Sequence, residues 1–188
     1  SISSKKKNYI IYNYMSEILI TPNPILRKKS LPVKEISNNE ITLSKKMIKI
    51  MNDAPGIGLA APQIGELKRI ITINIYQNEK NIKYTLFNPE ILSFSENKVI
   101  MEEGCLSIPK QFADIERPEK IQFKYLNEKG KIIEKNATGN ESRVIQHEID
   151  HLNGKLFVDY LSSLKRNILL KKVKKLKKNG ELWKMKEL

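Results

Sequence analysis

The spacing of apolar side chains changes along the chain, and two periods are visible in it. Between Asn39 and Asp53 apolar residues recur every three or four positions, which predicts a helix that ends before Pro55. The same period returns over residues 139–152, and Gly154 follows at the position expected of a helix-terminating glycine. A third helix is predicted from Asp159 or Ser162 to about Lys178. Its apolar positions, expected on one face with lysines opposite, are Leu161, Leu164, Ile168, Leu169, Val173 and Leu176.

The middle of the chain has the pattern of short strands. Residues 69–76 form a β-branched run, and residues 83–87, 90–95 and 98–103 are further strand candidates. Residues 119–126 alternate apolar and polar side chains, and a turn at 127–130 allows residues 131–134 to return as a hairpin. No internal repeat or dividing linker is visible. We therefore predict an α+β fold with mostly antiparallel strands packed around a central helix, followed by a C-terminal basic helix.

The composition narrows the possible partners without identifying one. The formal net charge is +13, which predicts attraction to polyanions such as RNA or an anionic membrane. A general bias toward Lys, Asn and Ile would give the same charge without any function. The single cysteine, Cys105, excludes an internal disulfide, and no apolar run is long enough to span a bilayer.

Both histidines of the chain stand four residues apart, in the segment His147-Glu148-Ile149-Asp150-His151. Residues at this spacing share one helix face, so both imidazoles can reach one metal ion, and Glu148 can exchange protons with a water bound there. A catalytic site of this kind uses three protein ligands. Cys105 is a candidate for the third because a thiolate binds iron or zinc strongly, although a lone cysteine is more often a small buried apolar residue.

Three segments together resemble the peptide deformylase family. Their order along the chain and their separations are those of the family, and the resemblance covers roughly residues 18–160. The segments are Gly56-Ile57-Gly58-Leu59-Ala60-Ala61-Pro62-Gln63, Glu103-Gly104-Cys105-Leu106-Ser107 and Gln146-His147-Glu148-Ile149-Asp150-His151-Leu152.

This resemblance implies a metal-dependent hydrolase that removes the N-formyl group from the N-terminal formylmethionine of nascent polypeptides. Cys105, His147 and His151 would bind one divalent metal, expected to be Fe2+, with Zn2+, Ni2+ or Co2+ as possible replacements. Glu148 would carry the proton from the attacking water to the leaving amine. The side-chain amide of Gln63 and the backbone N–H of Leu106 would stabilise the charge on the formyl oxygen.

The resemblance also implies how the nascent peptide binds. It would pair as an added strand between the glycine-rich segment and the cysteine strand, in contact with Gly58 and Gly104; Gly56 and Gly58 leave room for close backbone approach. Ile57, Val144 and the ring of His147 would line the methionine pocket, with Ile57 and Val144 simply part of the core as the alternative. Glu103 would orient the cysteine loop beside the substrate. The polar residues 140–143 stand where relatives often carry apolar ones, which predicts either a more polar pocket rim or a helix that starts at Asn140 as its cap.

The resemblance divides the chain into three parts and suggests its partners. Residues 1–16 would be a mobile basic lead-in, 17–160 the catalytic domain, and 161–188 a basic amphipathic helix and tail. This helix would dock on ribosomal RNA, with a purely structural packing helix as the alternative. The expected compartment is an organelle with bacterial-type translation, a plastid or mitochondrion, or alternatively a bacterial cytoplasm; the oligomeric state is not readable.

Two other functions compete with this one. A zinc peptidase would explain the histidine pair but gives no reason for Gln63 or for a cysteine ligand. A non-catalytic RNA-binding protein would explain the basic helix but leaves the three-part site unexplained.

Overall fold

The structure is a computed structural model that describes residues 17–182. The predicted lead-in, residues 1–16, and the end of the tail, residues 183–188, lie outside this range. The helices are α1 (Asn38–Asp53), α2 (Gly139–Leu152) and α3 (Ser163–Lys178). The strands are β1 (Gly58–Ala60), β2 (Ile70–Gln77), β3 (Lys80–Phe94), β4 (Lys98–Cys105), β5 (Ile108–Pro118), β6 (Lys120–Leu126) and β7 (Ile132–Thr138).

Five strands form one sheet in the order β1-β2-β3-β6-β7, and β4 and β5 form a separate two-stranded sheet. Every ladder between these strands is antiparallel. The α+β prediction with mostly antiparallel strands around one helix is therefore confirmed. The three helices begin and end within a residue or two of the predicted positions.

The five-stranded sheet carries a helix on each face, which explains the unbroken apolar run in β2. Ile71, Ile73 and Ile75 pack in the cluster that contains the apolar side of α2. Ile70, on the opposite face, packs against Met47 and other side chains of α1. A strand covered on both faces buries consecutive residues, so its sequence loses the alternation of a half-exposed strand.

The central helix α2 ends in a tightly constrained turn. The Gly154 N–H donates to the His151 carbonyl and the Lys155 N–H to the Asp150 carbonyl, which is the hydrogen-bond pattern of a glycine C-cap. Gly154 has φ of 73°, and a Cβ there would lie 2.4 Å from the Arg27 carbonyl oxygen. Only glycine satisfies both demands, and the turn thereby fixes the end of the helix that carries the histidines.

Two strands differ from the prediction. The candidates at 83–87 and 90–95 are one strand, β3, which continues through Asn88 and Pro89 with a register shift against β6. Asn88 has φ of 49° and Pro89 has no N–H, so a bulge allows the strand to pass both residues. Strand β5 was not predicted, because Pro109 near its start interrupts the apolar-polar alternation.

The predicted apolar face of α3 is only partly buried. Val173 is fully buried, and Leu161 and Leu169 pack against the same cluster. Leu164 and Ile168, from the same predicted face, are 71% and 45% exposed, so this face is not buried along its whole length. The buried contact of α3 with the domain is made by one turn near Val173. It is therefore smaller than the apolar face that the sequence predicts. No helix within residues 17–182 combines the length and apolar character that a bilayer crossing requires.

Candidate metal centre and substrate cavity

Helix α2 presents its two histidines to one side, as their spacing predicts. The ring centroids of His147 and His151 are 5.0 Å apart, and the side chain of His151 is buried. Ile145 and Ile149 of the same helix are buried in the core beneath the sheet. The helix is thus held by its apolar face while the histidines face the β4–β5 hairpin.

Cys105, the last residue of β4, completes a cluster with these histidines. Its Sγ lies 3.3 Å from His151 Nε2, and the ligand atoms of Cys105, His147 and His151 all lie within 4.8 Å of one another. Sulfur and nitrogen ligands of a tetrahedral metal site stand roughly 3.5 Å apart when the bond lengths are about 2.3 and 2.1 Å. Two imidazoles and a thiolate at these separations fit a divalent transition metal.

The protonation of His151 suits a ligand. Burial holds the pKa of His151 well below its usual value of 6.5. A neutral imidazole has a lone pair available for a metal, whereas an imidazolium does not.

Glu103 is a buried carboxylate in contact with His147 and two arginines. It lies 2.9 Å from His147 Nδ1 and accepts two hydrogen bonds from Arg117, at 2.6 and 2.9 Å. Arg143 donates a further bond to it at 2.6 Å. Burial would raise the pKa of Glu103, but the hydrogen bonds from His147 and Arg117 outweigh burial and hold it at about 2. The carboxylate is therefore ionised, and it also lines the substrate cavity.

Glu148 is a buried carboxylate beside the cluster. It is 4% exposed, and among residues 17–182 no group hydrogen-bonds its Oε2 atom. Burial raises the pKa of Glu148 to about 7, from an ordinary value of 4.5. A carboxyl group poised near neutral pH can both accept and donate a proton.

Gln63 lies in a short 3₁₀ helix, Ala61–Ile64, directly after β1. Its Oε1 accepts the backbone N–H of Ala60 at 2.9 Å, and its Nε2 donates to Ser107 Oγ at 3.1 Å. The same Nε2 is 3.6 Å from Cys105 Sγ. These bonds determine which end of the amide is the nitrogen, and they aim this donor at the cluster.

A cavity of about 750 Å³ opens beside the cluster, between β1 and the β4–β5 hairpin. The predicted site residues that line it are Ile57, Gly58, Gln63, Glu103, Gly104, Cys105, Leu106, Val144, His147 and Glu148. His151 is not among the lining residues; it lies behind them, 1% exposed. Ile57 is 51% exposed, whereas Val144 also belongs to the core cluster. Asn140 and Arg143 line the cavity, which makes this wall more polar. Helix α2 begins at Gly139 with Thr138 as its N-cap, so the alternative that placed Asn140 at the cap is wrong.

Two glycines keep this cavity open. A Cβ on Gly58 would lie 2.6 Å from Glu148 Oε1 and 2.9 Å from Val144 Cγ1. A Cβ on Gly104 would lie 2.6 Å from the ring of Phe112. Side chains of this protein therefore already pass close to both glycines, and a larger residue at either position would displace them.

Several residues of the site carried no assigned role from sequence. They are Arg117 and Arg143, which bond Glu103, Ser107, which bonds Gln63, and Phe157, whose ring stacks 6.4 Å from that of His147. Arg117 could have been found, because it shares a face of β5 with buried Ile115, and a charge on the apolar face of a strand indicates a buried partner.

The sequence profile of the polypeptide deformylase family matches residues 15–167. A peptide deformylase of Mesorhizobium japonicum is 47% identical over 163 residues, which are 86% of this chain and 93% of that protein. One of Bradyrhizobium diazoefficiens is 43% identical over 89% of this chain and 99% of its own length. Both relatives are bacterial, so the predicted organelle has no support from them.

Solved structures agree with the sequence comparison. The crystal structure of a peptide deformylase from Legionella pneumophila has a TM-score of 0.81 and 42% identity, and covers 87% of this chain and 95% of that one. The Ehrlichia chaffeensis enzyme in complex with actinonin has a TM-score of 0.81 and 38% identity, over 84% and 95%. The chain therefore belongs to the peptide deformylase family and is a metal-dependent hydrolase that removes the N-formyl group from the N-terminal formylmethionine of nascent polypeptides.

Proposed function

We propose that Cys105, His147 and His151 hold the divalent metal of this deformylase, and that Fe2+ is the metal used in the cell. The single observation that carries this assignment is the convergence of one thiolate and two imidazoles within 4.8 Å. A metal bound there lowers the pKa of water toward 7 and polarises a carbonyl oxygen. Zn2+, Ni2+ and Co2+ suit the same ligands, so the choice of Fe2+ rests on the family resemblance.

Glu148 is the proton carrier of the proposed reaction. Its unpartnered Oε2 takes a proton from the water that attacks the formyl carbon. As the C–N bond breaks, the same oxygen returns the proton to the departing amine, so formate and a free N-terminus are released. The pKa of about 7 supports both steps, since the carboxyl group exchanges protons readily at neutral pH.

Gln63 and Leu106 stabilise the negative charge that develops on the formyl oxygen. Gln63 Nε2 is a preorganised donor because Ala60 and Ser107 hold both ends of the amide. Leu106 lies in the turn between β4 and β5, next to Cys105, and its backbone N–H is the second donor. An amide held in advance needs little reorganisation when charge develops, which is the source of its effect on rate.

The nascent peptide pairs with the edges of β1 and β4, on either side of the cavity. Ile57, Gly58, Gly104 and Val144 contact it, with Val144 and the ring of His147 forming the methionine pocket. Glu103 acts from beneath by orienting His147. Because main-chain pairing carries little sequence information, the enzyme is expected to accept many sequences after the methionine.

The chain around the site has further proposed roles. We assign residues 17–160 to the catalytic domain and α3 to docking on ribosomal RNA. The support for docking is charge: α3 carries its basic residues without an acidic one, and Lys171, Lys172, Lys174 and Lys175 are exposed. The compartment that the bacterial relatives favour is the bacterial cytoplasm.

The test is formate release from formyl-Met-Ala-Ser, run anaerobically with Fe2+, Ni2+ or Co2+ supplied. Release by the parent chain, lost in Glu148→Ala loaded with the same metal, supports the assignment. Cys105→Ser is expected to lose stoichiometric metal along with activity, which metal analysis of the folded variant checks. A folded, metal-loaded parent that releases no formate would sink the proposal. Cleavage of unformylated peptides would instead indicate a peptidase.

A further inference from the structure

The chain just after α3 reaches the substrate cavity. Leu182 lines the same cavity as Ile57, Val144 and Glu148, although it lies 30 positions after Leu152, the last residue of the histidine motif. From the sequence, residues 161–188 were expected to form only a packing or docking helix and its tail. The position of Leu182 in the cavity wall gives this end of the chain a second place in the structure.

The chain is turned toward the cavity by the cap of α3. The Gly180 N–H donates to the Lys177 carbonyl at 3.2 Å and the Glu181 N–H to the Leu176 carbonyl at 2.9 Å. Gly180 has φ of 64°, the left-handed conformation that this motif requires. The helix thus ends in a defined turn that directs Glu181 and Leu182 back onto the domain.

A contact with β5 then holds the turn in place. Lys110 Nζ donates to the Glu181 carbonyl at 2.6 Å. Lys110 itself has φ of 59°, a conformation that costs a non-glycine residue energy and persists where the surroundings demand it. Leu182 packs against the cluster that contains Ile108 and Val173. Its position is therefore fixed from both sides, by the helix cap and by β5.

Around Leu182 the cavity wall combines apolar side chains with Lys110 and Gln111 of β5. Pro109 and Phe112 of β5 line the same cavity, and Phe112 is 60% exposed. These residues belong to β5 and the C-terminal turn, whereas the methionine-pocket candidates Val144 and His147 belong to α2. A cavity of about 750 Å³ lies in the range that holds ligands of drug size, so it has room beyond one formylmethionine.

We propose that Leu182 is a specificity-determining residue whose side chain forms an apolar wall for the nascent chain from its third residue onward. This inference rests on the deformylase activity and deepens it. It predicts a preference for apolar residues at the third position that main-chain pairing alone would not give. Apolar contacts of this kind discriminate by modest factors, so we expect about a fivefold preference.

The test compares substrates that do and do not reach this wall. The metal-loaded parent, Leu182→Ser and Leu182→Trp are assayed on formyl-Met-Ala, formyl-Met-Ala-Ser and formyl-Met-Ala-Leu. The parent is expected to show kcat/KM about fivefold higher for the leucine than for the serine peptide. Leu182→Ser is expected to lose that preference through KM, with formyl-Met-Ala unaffected. Leu182→Trp narrows the cavity and is expected to lower kcat/KM for both longer peptides only.

The control is Leu164→Ser, which removes a leucine of α3 that is 71% exposed and is not among the residues that line the cavity. It is expected to keep the preference of the parent. The inference is overturned if the parent has no preference, if Leu182→Ser keeps it, or if both Leu182 variants slow all three peptides alike. No formate from formyl-Met-Ala with the parent would instead refute the proposed function, since that peptide does not depend on Leu182.

Discussion

At the scale of single residues, the site depends on the buried carboxylate of Glu103. The cysteine motif includes this residue, but its partners Arg117 and Arg143 come from β5 and α2, further along the chain. Such long-range pairs cannot be read from spacing, whereas His147 and His151 could, because a helix turn alone sets their separation. Removing one partner of a buried ionic group leaves the others without a counter-charge, which costs more than the pair contributes.

Glu103→Gln is therefore expected to destabilise the metal-free protein by about 3–5 kcal/mol at pH 7, because Arg117 and Arg143 keep buried charges. The pKa of Glu103 is about 2 when folded and 4.5 ordinarily, so its contribution is present above pH 4.5 and is lost as the pH falls toward 2. Urea unfolding at pH 7 and pH 3 should show the gap between parent and variant narrowing in acid. Glu116→Gln, a 57% exposed carboxylate on β5, is the matched control and should change stability by less than about 0.5 kcal/mol. An equal effect of both substitutions would contradict the role given to Glu103.

For Glu148 we expect the opposite effect on stability: its ionisation destabilises the folded protein, whereas ionised Glu103 stabilises it. A carboxyl group whose pKa is raised from 4.5 to about 7 opposes folding once the pH is high enough to ionise it. Glu148→Gln is expected to stabilise the metal-free protein by about 3 kcal/mol at pH 8, with the difference disappearing near pH 4. Thermal unfolding across this pH range measures it, and formate release should fall at least about 100-fold in the same variant. If the variant is no more stable than the parent at pH 8, burial does not raise the pKa of this carboxyl group.

At the scale of elements, the periodicity of apolar residues identified the helices, which depend on local sequence, and missed features that depend on tertiary contacts. Helices α1 and α2 follow from their apolar spacing and from cap signals such as the Ser37 N–H bonded to Glu40 at 3.1 Å. The continuity of β3 depends on its ladder with β6, a strand distant in sequence, whereas β5 pairs with its neighbour β4 and was missed because Pro109 interrupts its alternation. The approach of β1 to α2 is also a tertiary fact, although Gly58 hinted at it.

Gly58→Ala tests how closely β1 passes α2. The added Cβ would stand 2.6 Å from Glu148 Oε1, so the carboxylate must shift. We expect kcat/KM to fall about 100-fold, as for other misplacements near 1 Å, with a loss of about 1–3 kcal/mol in stability from overpacking. Gly130→Ala is the control, because Gly130 has φ of 73° and open space around it. It should cost about 1 kcal/mol from backbone strain alone and leave kcat/KM unchanged. Full activity in Gly58→Ala would show that Glu148 has room to move.

At the scale of the whole molecule, the net charge and the fold give different information about binding to polyanions. The net charge of +13 is a property of the entire chain, and composition alone could not tell a binding surface from a general bias. The fold concentrates part of that charge on α3, which contacts the domain through few side chains and leaves its lysines outside. Which polyanion meets them is not encoded in the fold, since phosphate contacts carry no sequence information.

Ribosome binding is expected to depend on the place of the charge as well as its amount. Replacing Lys171, Lys172, Lys174 and Lys175 by glutamine lowers the net charge by four, from +13 to +9. This variant should bind ribosomes at least about tenfold more weakly, with a shallower dependence on salt. The control makes the same change in charge at exposed lysines of the β2–β3 and β6–β7 hairpins, Lys80, Lys83, Lys129 and Lys131. Cosedimentation over a salt series measures ribosome binding by both variants. If the two bind equally weakly, docking is a non-specific effect of charge.

The separation of the β4–β5 hairpin from the main sheet has a consequence for how the enzyme fails. No ladder joins the two sheets, and the hairpin is held to α2 by the ion pairs Glu103–Arg143 and Arg117–Asp150, packs under α3, and would also be tied to α2 by the proposed metal through Cys105. The metal would then link Cys105 to His147, 42 positions further along the chain. Oxidation of one sulfur atom would remove a ligand and release one attachment of the hairpin in a single event. Inactivation and local opening of the substrate cleft would therefore proceed together, and an oxidised molecule would become easier for a protease to recognise and remove.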